Sequence, residues 1–73
     1  MPITLANIGE KVIIDRIMGN DQIKKHLNNL GFVVGKLVSV FSFDGTNYII
    51  SINDSRYAIH KDLARRIFVK EQR

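Results

Sequence analysis

The sequence predicts a small, mostly β domain with one helix inserted after the first strand, and three observations carry that prediction. β-branched and aromatic residues gather in short runs of about five to eight, the usual length of strands in globular proteins. Gly, Asn and Asp separate these runs, and they are the residue types that accept turn geometry. Only residues 21–30 space their apolar side chains at helical intervals, with Ile23, Leu27 and Leu30 at i, i+4 and i+7.

The first element follows a loop-like segment that ends at Gly9. Val12, Ile13, Ile14, Ile17 and Met18 form a strand-like run closed by Gly19. Apolar residues fall on both of its faces, which predicts a strand with little solvent on either side. Asn20 and Asp21 are candidates for the helix N-cap, and Asp21 also suits the positive end of the helix dipole. At 100° per residue, Lys24, Lys25, Asn28 and Asn29 lie opposite the apolar stripe and His26 on its flank, so the helix should rest on the domain surface. Gly31 then fits the left-handed position that stops helices. Gly35 lets the chain turn into the next strand, with Phe32 and Val34 expected to pin the connector to the core.

Three further strands follow. Leu37, Ser39, Phe41 and Phe43 alternate with Val38, Val40 and Ser42; Tyr48, Ile50 and Ile52 mark the next run, and Tyr57 and Ile59 the third. Asp44-Gly45 and the Asn53, Asp54, Ser55 cluster tolerate positive φ, so both should be hairpin connections in an antiparallel meander. A helical turn around residues 62–65 and a last strand over residues 67–69 complete the chain, with residues 70–73 expected to fray. A meander this short hides its edges by curling, and the architecture expected is a small SH3-like barrel of about five strands.

A chain of 73 residues should form a single domain over residues 1–73 with a thin core, burying roughly 60% of its unfolded surface. Its composition, 45% hydrophobic and 25% charged, is that of a globular domain. It has no cysteine, which removes disulfides, thiolate metal sites and a cysteine nucleophile and suits a reducing cytoplasm. Apolar runs fall far short of the roughly 20 residues that span a bilayer, and no signal-peptide pattern opens the chain, so membrane insertion is not expected.

Two His, five Asp and two Glu carry no recognised ligand spacing. His60 with Asp62 admits weak binding of a divalent transition-metal ion at the surface, but a strand end followed by a capping Asp accounts for both residues. No Ser or Thr sits in a nucleophile-elbow context, and Glu10 with Asp15 makes no convincing acid/base pair, so neither an enzyme nor a small-molecule substrate is expected. "GFVVG" lacks the Gly-Lys-Ser/Thr continuation of a phosphate loop. The net charge of +4 is compatible with solvated surface charge or with an acidic partner. Lys24-Lys25, Arg56, Lys61 and Arg65-Arg66, interleaved with Tyr48, Tyr57 and Phe68, keep a nucleic-acid-binding barrel as the alternative reading.

The segments "LANIGEKVIIDRIMG", "HLNNLGFVVGKLVSV" and "YAIHKDLARRIFV", over residues 5–69, together resemble the FeoA family, ferrous iron transport protein A. The most specific part is a helix ending in Leu, two residues, Leu-Gly, then a second Gly opening a Val-rich strand, matched by Leu27, Leu30, Gly31, Phe32, Gly35, Val38 and Val40. Ala58, Ile59, Ala64, Ile67 and Val69 match the family's closing pattern. His26 stands where the family often has Arg, and "DGTN" where it often has a Gly-Pro pair. The resemblance implies an SH3-like accessory protein of bacterial ferrous iron uptake, cytoplasmic and acting at the inner face of the membrane on a GTPase-linked iron permease. It also implies kinship with the C-terminal domain of DtxR-type metal-dependent repressors. Exposed charge steers association, so Lys24, Lys25 and Asn28 on the helix and Arg56 with Lys61 near the third hairpin are the expected partner contacts. Edge strands of an open barrel also allow pairing between copies.

Overall fold

The computed structural model describes residues 1–72. After a 3-10 turn over Ile3–Leu5 come β1 (Lys11–Ile17), α1 (Asp21–Asn29), β2 (Leu37–Phe43), β3 (Asn47–Ile52), β4 (Ser55–His60), α2 (Lys61–Ala64) and β5 (Ile67–Glu71). All five strands pair antiparallel in one sheet of order β4-β3-β2-β1-β5. The architecture is the SH3-like one expected, with β4 and β5 as the two edges. The edge of β5 is partly covered by the N-terminus: the Val69 N–H donates to the Met1 carbonyl at 2.7 Å, the Met1 ammonium to the Val69 carbonyl at 3.0 Å, and Pro2 bridges Phe68.

The inner face follows strand alternation, with one interruption in each of two strands. In β1, Val12 and Ile14 are buried, then Asp15 is extruded as a bulge between the pairs Ile14↔Val69 and Arg16↔Phe68, which leaves Ile17 opposite buried Ile67. The bulge corrects the expectation that β1 is apolar on both faces. The extra residue shifts the phase, so that Val12, Ile14 and Ile17 share the core face while Ile13 is half-buried and Arg16 stays outside. In β2, Phe41 occupies the corresponding irregularity between Val40↔Ile50 and Ser42↔Ile49. Phe43 therefore leaves the outer row with Leu37, Ser39 and Phe41 and stacks on Tyr48, ring centroids 4.1 Å apart.

The connector between α1 and β2 is two motifs in series. The helix, capped by the Asn20 side chain accepting from the Ile23 N–H at 2.9 Å, ends with the Gly31 N–H on the Asn28 carbonyl and the Phe32 N–H on the Leu27 carbonyl. This is a Schellman closure, and Gly31 at φ +103° takes its left-handed position. Its companion contact is apolar: Leu27 and Phe32 are both fully buried in the core. Next comes a reverse turn over residues 33–36, in which the Lys36 N–H donates to the Val33 carbonyl and Gly35 sits at φ +91°. Phe32 pins the connector, as expected, but Val34 does not: the second position of a reverse turn points outward, and Val34 is 67% exposed.

The loop-like segment that ends at Gly9 is preceded by a 3-10 turn whose Ile3 is wholly buried. Two smaller corrections follow. Lys70 and Glu71 are not frayed, because they pair with Ile13 and Val12; Arg73, the last residue of that expectation, lies outside the described residues. The cap of α2 is the His60 imidazole, whose Nδ1 accepts from the Asp62 N–H at 3.1 Å, and not the Asp62 side chain.

Candidate interaction surface

No His, Asp or Glu cluster of three or more forms among the described residues. His60 Nδ1 lies 3.6 Å from Asp62 Oδ2 on the surface, and its lone pair is already used to cap α2. Among the described residues no helix is long and apolar enough to cross a membrane. Chemistry able to recognise a partner is concentrated instead in two exposed hollows.

The first lies between α1, the end of β1 and the 33–36 turn. It is an open groove of about 280 Å³ lined by Arg16, Ile17, Lys24, Asn28 and Val34. Each wall has a local cause. Lys24 and Asn28 are one helical turn apart on the outer face of α1. Arg16 is turned outward by the Asp15 bulge, and the outer-face partner that the bulge gives it is Phe68, whose ring centroid lies 4.7 Å from the guanidinium carbon. That cation–π contact fixes the side chain. Val34 projects from the turn tip, and half-buried Ile17 completes the apolar side. Among the described residues no carboxylate lines the groove. Asp15, next to Arg16 in the chain, instead approaches Lys70, Oδ1 to Nζ 3.9 Å.

The second hollow, about 480 Å³, sits at the β3–β4 hairpin tip among Ser51, Asn53, Asp54, Ser55 and Arg56. Its turn is held by Asn53 at φ +54°, a conformation Asn tolerates. Here the charges are mixed, Asp54 beside Arg56, and the Arg56 guanidinium lies over the exposed Phe41 ring at 3.8 Å. At the opposite end of β3, Asp44 accepts from the Asn47 N–H at 2.8 Å and the Thr46 N–H at 2.9 Å. These donors hold its carboxyl below the ordinary aspartate value of 3.8.

The partner-contact residues expected from the sequence are thus divided. Lys24 and Asn28 line the first groove, Arg56 the second hollow; Lys25 is exposed on α1 but lines neither, and Lys61 opens α2, its N–H on the Thr46 carbonyl. Among the motif residues, Leu27, Phe32, Ile59 and Ala64 are core, Leu30 is half-buried, Gly31 and Gly35 carry the turns, and Ala58 is exposed. Arg16, Ile17 and Val34 were not marked as partner contacts by sequence reasoning. A signal existed in the three-residue interval from Ile14 to Ile17, which breaks strand alternation, and in a Val placed before a turn glycine.

A single SH3-like sheet with one inserted helix and one basic surface groove defines a small β-barrel domain. More narrowly, the chain belongs to the FeoA family: the profile of the FeoA domain matches residues 1–71. An iron uptake regulatory protein (FeoA) known from a crystal structure is similar at 30% identity over 96% of this chain and 95% of that one, TM-score 0.88. Iron(II) transport protein A from Clostridium thermocellum is similar in fold at 20% identity, covering 97% of this chain and 45% of that one, TM-score 0.89. The regulator ScaR, solved with bound Cd2+, shares the fold at 19% identity over 99% of this chain and 35% of its own, TM-score 0.87. No curated protein matches the sequence.

Proposed function

We propose that this chain is a non-enzymatic accessory of bacterial ferrous iron uptake that binds the cytoplasmic part of a GTPase-linked membrane iron permease and modulates transport. The observation that carries the reading is similarity along nearly the whole of both chains to an iron uptake regulatory protein, at 30% identity. The surface agrees with a binding role: its hollows are shallow and open, too wet for a reaction that must exclude water, yet lined by side chains suited to recognising a peptide. In this reading the protein works in the cytoplasm and reaches the inner face of the membrane through its partner.

The test mixes the purified chain with the soluble GTP-binding domain of the permease and, separately, with the detergent-solubilised full-length permease. Complex formation with at least one of them is expected. Failure to bind either at high micromolar protein would overturn the proposal.

A further inference from the structure

We propose that the groove between α1, the end of β1 and the 33–36 turn seats an extended acidic segment of a partner protein, with carboxylates flanking an aliphatic side chain. The inference deepens the permease reading and rests on it for the identity of the partner, but the chemistry of the groove is argued from the groove alone.

Its charge is of one sign. Arg16 and Lys24 both line it and, among the described residues, no acid does. Neither cation has a carboxylate within ion-pair distance among the described residues, whereas Lys70 and Arg65 each have one, Asp15 at 3.9 Å and Asp62 at 3.6 Å. Two unpaired cations in one concave site favour an anionic occupant, and they raise its rate of encounter. Arg16 is also held in place before binding by its seat on Phe68, so less side-chain entropy is lost when a carboxylate docks on its fork of donors.

The remaining lining residues select among anions. Ile17 and the outward-pointing Val34 supply an apolar contact that inorganic phosphate or a sugar-phosphate backbone cannot use, while a Leu or Val side chain can. Asn28 offers a donor and an acceptor to the backbone of an extended segment. A nucleic acid would want a bare aromatic face for stacking. No aromatic ring lines the groove among the described residues, and Phe68, the ring in contact with its Arg16, already carries that cation. The second hollow, at the β3–β4 tip with Asp54 in its wall, would repel part of the same acidic segment.

The test uses the whole chain labelled with 15N and two synthetic peptides, acetyl-Glu-Glu-Leu-Val-Glu-Glu-amide and its all-Gln counterpart, with inorganic phosphate and a short DNA duplex as further arms. The acidic peptide is expected to shift the amide signals of Arg16, Ile17, Asn28 and Val34, more weakly as salt is raised. Lys24→Glu, on the exposed helix face, should lower its affinity about fivefold with the spectrum otherwise intact. Val34→Ser should also weaken it without changing the salt dependence. The proposal is overturned if no signal moves at millimolar acidic peptide, if the Gln peptide binds equally well, or if the shifts centre on Arg56 and Lys61. It is likewise overturned if phosphate or duplex DNA gives the same shifts at comparable affinity. A final arm separates the two ideas. A permease that binds the wild-type chain and Lys24→Glu equally well removes the groove and leaves the permease reading; peptide binding in the groove without permease binding does the reverse.

Discussion

Two bulges, one in β1 and one in β2, solve the same geometric problem with opposite chemistry. In both strands a three-residue interval separates consecutive inner-face positions, Ile14 to half-buried Ile17 and Val40 to exposed Phe43, and the extra residue is pushed out of the ladder. The β1 bulge ejects Asp15 and leaves Arg16 facing out over Phe68 in a groove of positive charge. The β2 bulge ejects Phe41, which becomes the exposed seat for Arg56 from β4, beside an acid. One bulge contributes the cation and the other the ring. A bulge is therefore neutral about chemistry: it fixes where a side chain can leave the sheet, and the residue type decides whether that exit becomes a single-signed groove or a mixed surface.

The comparison breaks most visibly if the bulges do not absorb phase as described. Deleting Ile13, one position before the buried pair partner Ile14, should flip Val12 outward and draw Lys11 toward the core. A slip of this kind reverses every side chain on that side, and an unfolded protein is expected by circular dichroism. Deleting Asp15 should be far milder, since Arg16↔Phe68 and Ile17↔Ile67 remain in register. A folded spectrum for the Asp15 deletion beside an unfolded one for the Ile13 deletion is the expected pair, and equal damage from both would refute the bulge account.

The next effect separates the two bulged strands. The Gly35 N–H donates to the Ile14 carbonyl at 2.8 Å, immediately before the first bulge, and a Cβ added at Gly35 meets nothing within 4 Å. Gly35→Val should therefore cost only the backbone conformation, about 1–2 kcal/mol. Amide exchange should quicken along the β1–β2 seam while the β2–β3 seam keeps its protection relative to the global transition; uniform acceleration would show that the two bulges share one support.

Smaller still are the cation–π seats. Arg16→Ala and Arg56→Ala should each lower stability by about 0.5–1 kcal/mol in chemical denaturation, and only Arg16→Ala should weaken binding of the acidic peptide. The faintest effect belongs to the hairpin after the second bulge. The Asp44 carboxyl is held below its ordinary value by the Asn47 and Thr46 N–H groups. A depressed folded value means that its contribution is present above the unfolded value and is lost as pH falls through the folded one. The melting difference between wild type and Asp44→Ala should shrink on acidification below about pH 4, and a difference that grows would reverse the sign of the assignment.

Much of the fold was legible because it rests on local rules. Asn20 capping α1, the Ile23, Leu27, Leu30 stripe, Gly31 as the helix stop and the turn at Asn53 each follow from one residue's own conformational preferences. The bulges were less legible, since alternation over a short strand does not say which residue is extruded; the partner strand decides. The groove was half legible. Helix periodicity exposes Lys24 and Asn28, but Arg16 and Val34 join them only through the β1 bulge and the outward side of a reverse turn, both products of pairing across the sheet. His60 as the cap of α2 depended on imidazole acting as an acceptor, a role more often filled by Asp or Ser.

The Met1 and Val69 backbones are joined by two hydrogen bonds in an antiparallel ladder that continues to Pro2 and Phe68. Both ends of the chain therefore leave this seam from the same side. Tension applied between them would load the bonds one at a time, as in opening a zipper, instead of shearing them together. A domain tethered at both ends should thus yield first by peeling off its leading residues, exposing the backbone of β5 and the buried side chain of Ile3 while the β2–β3–β4 meander still holds.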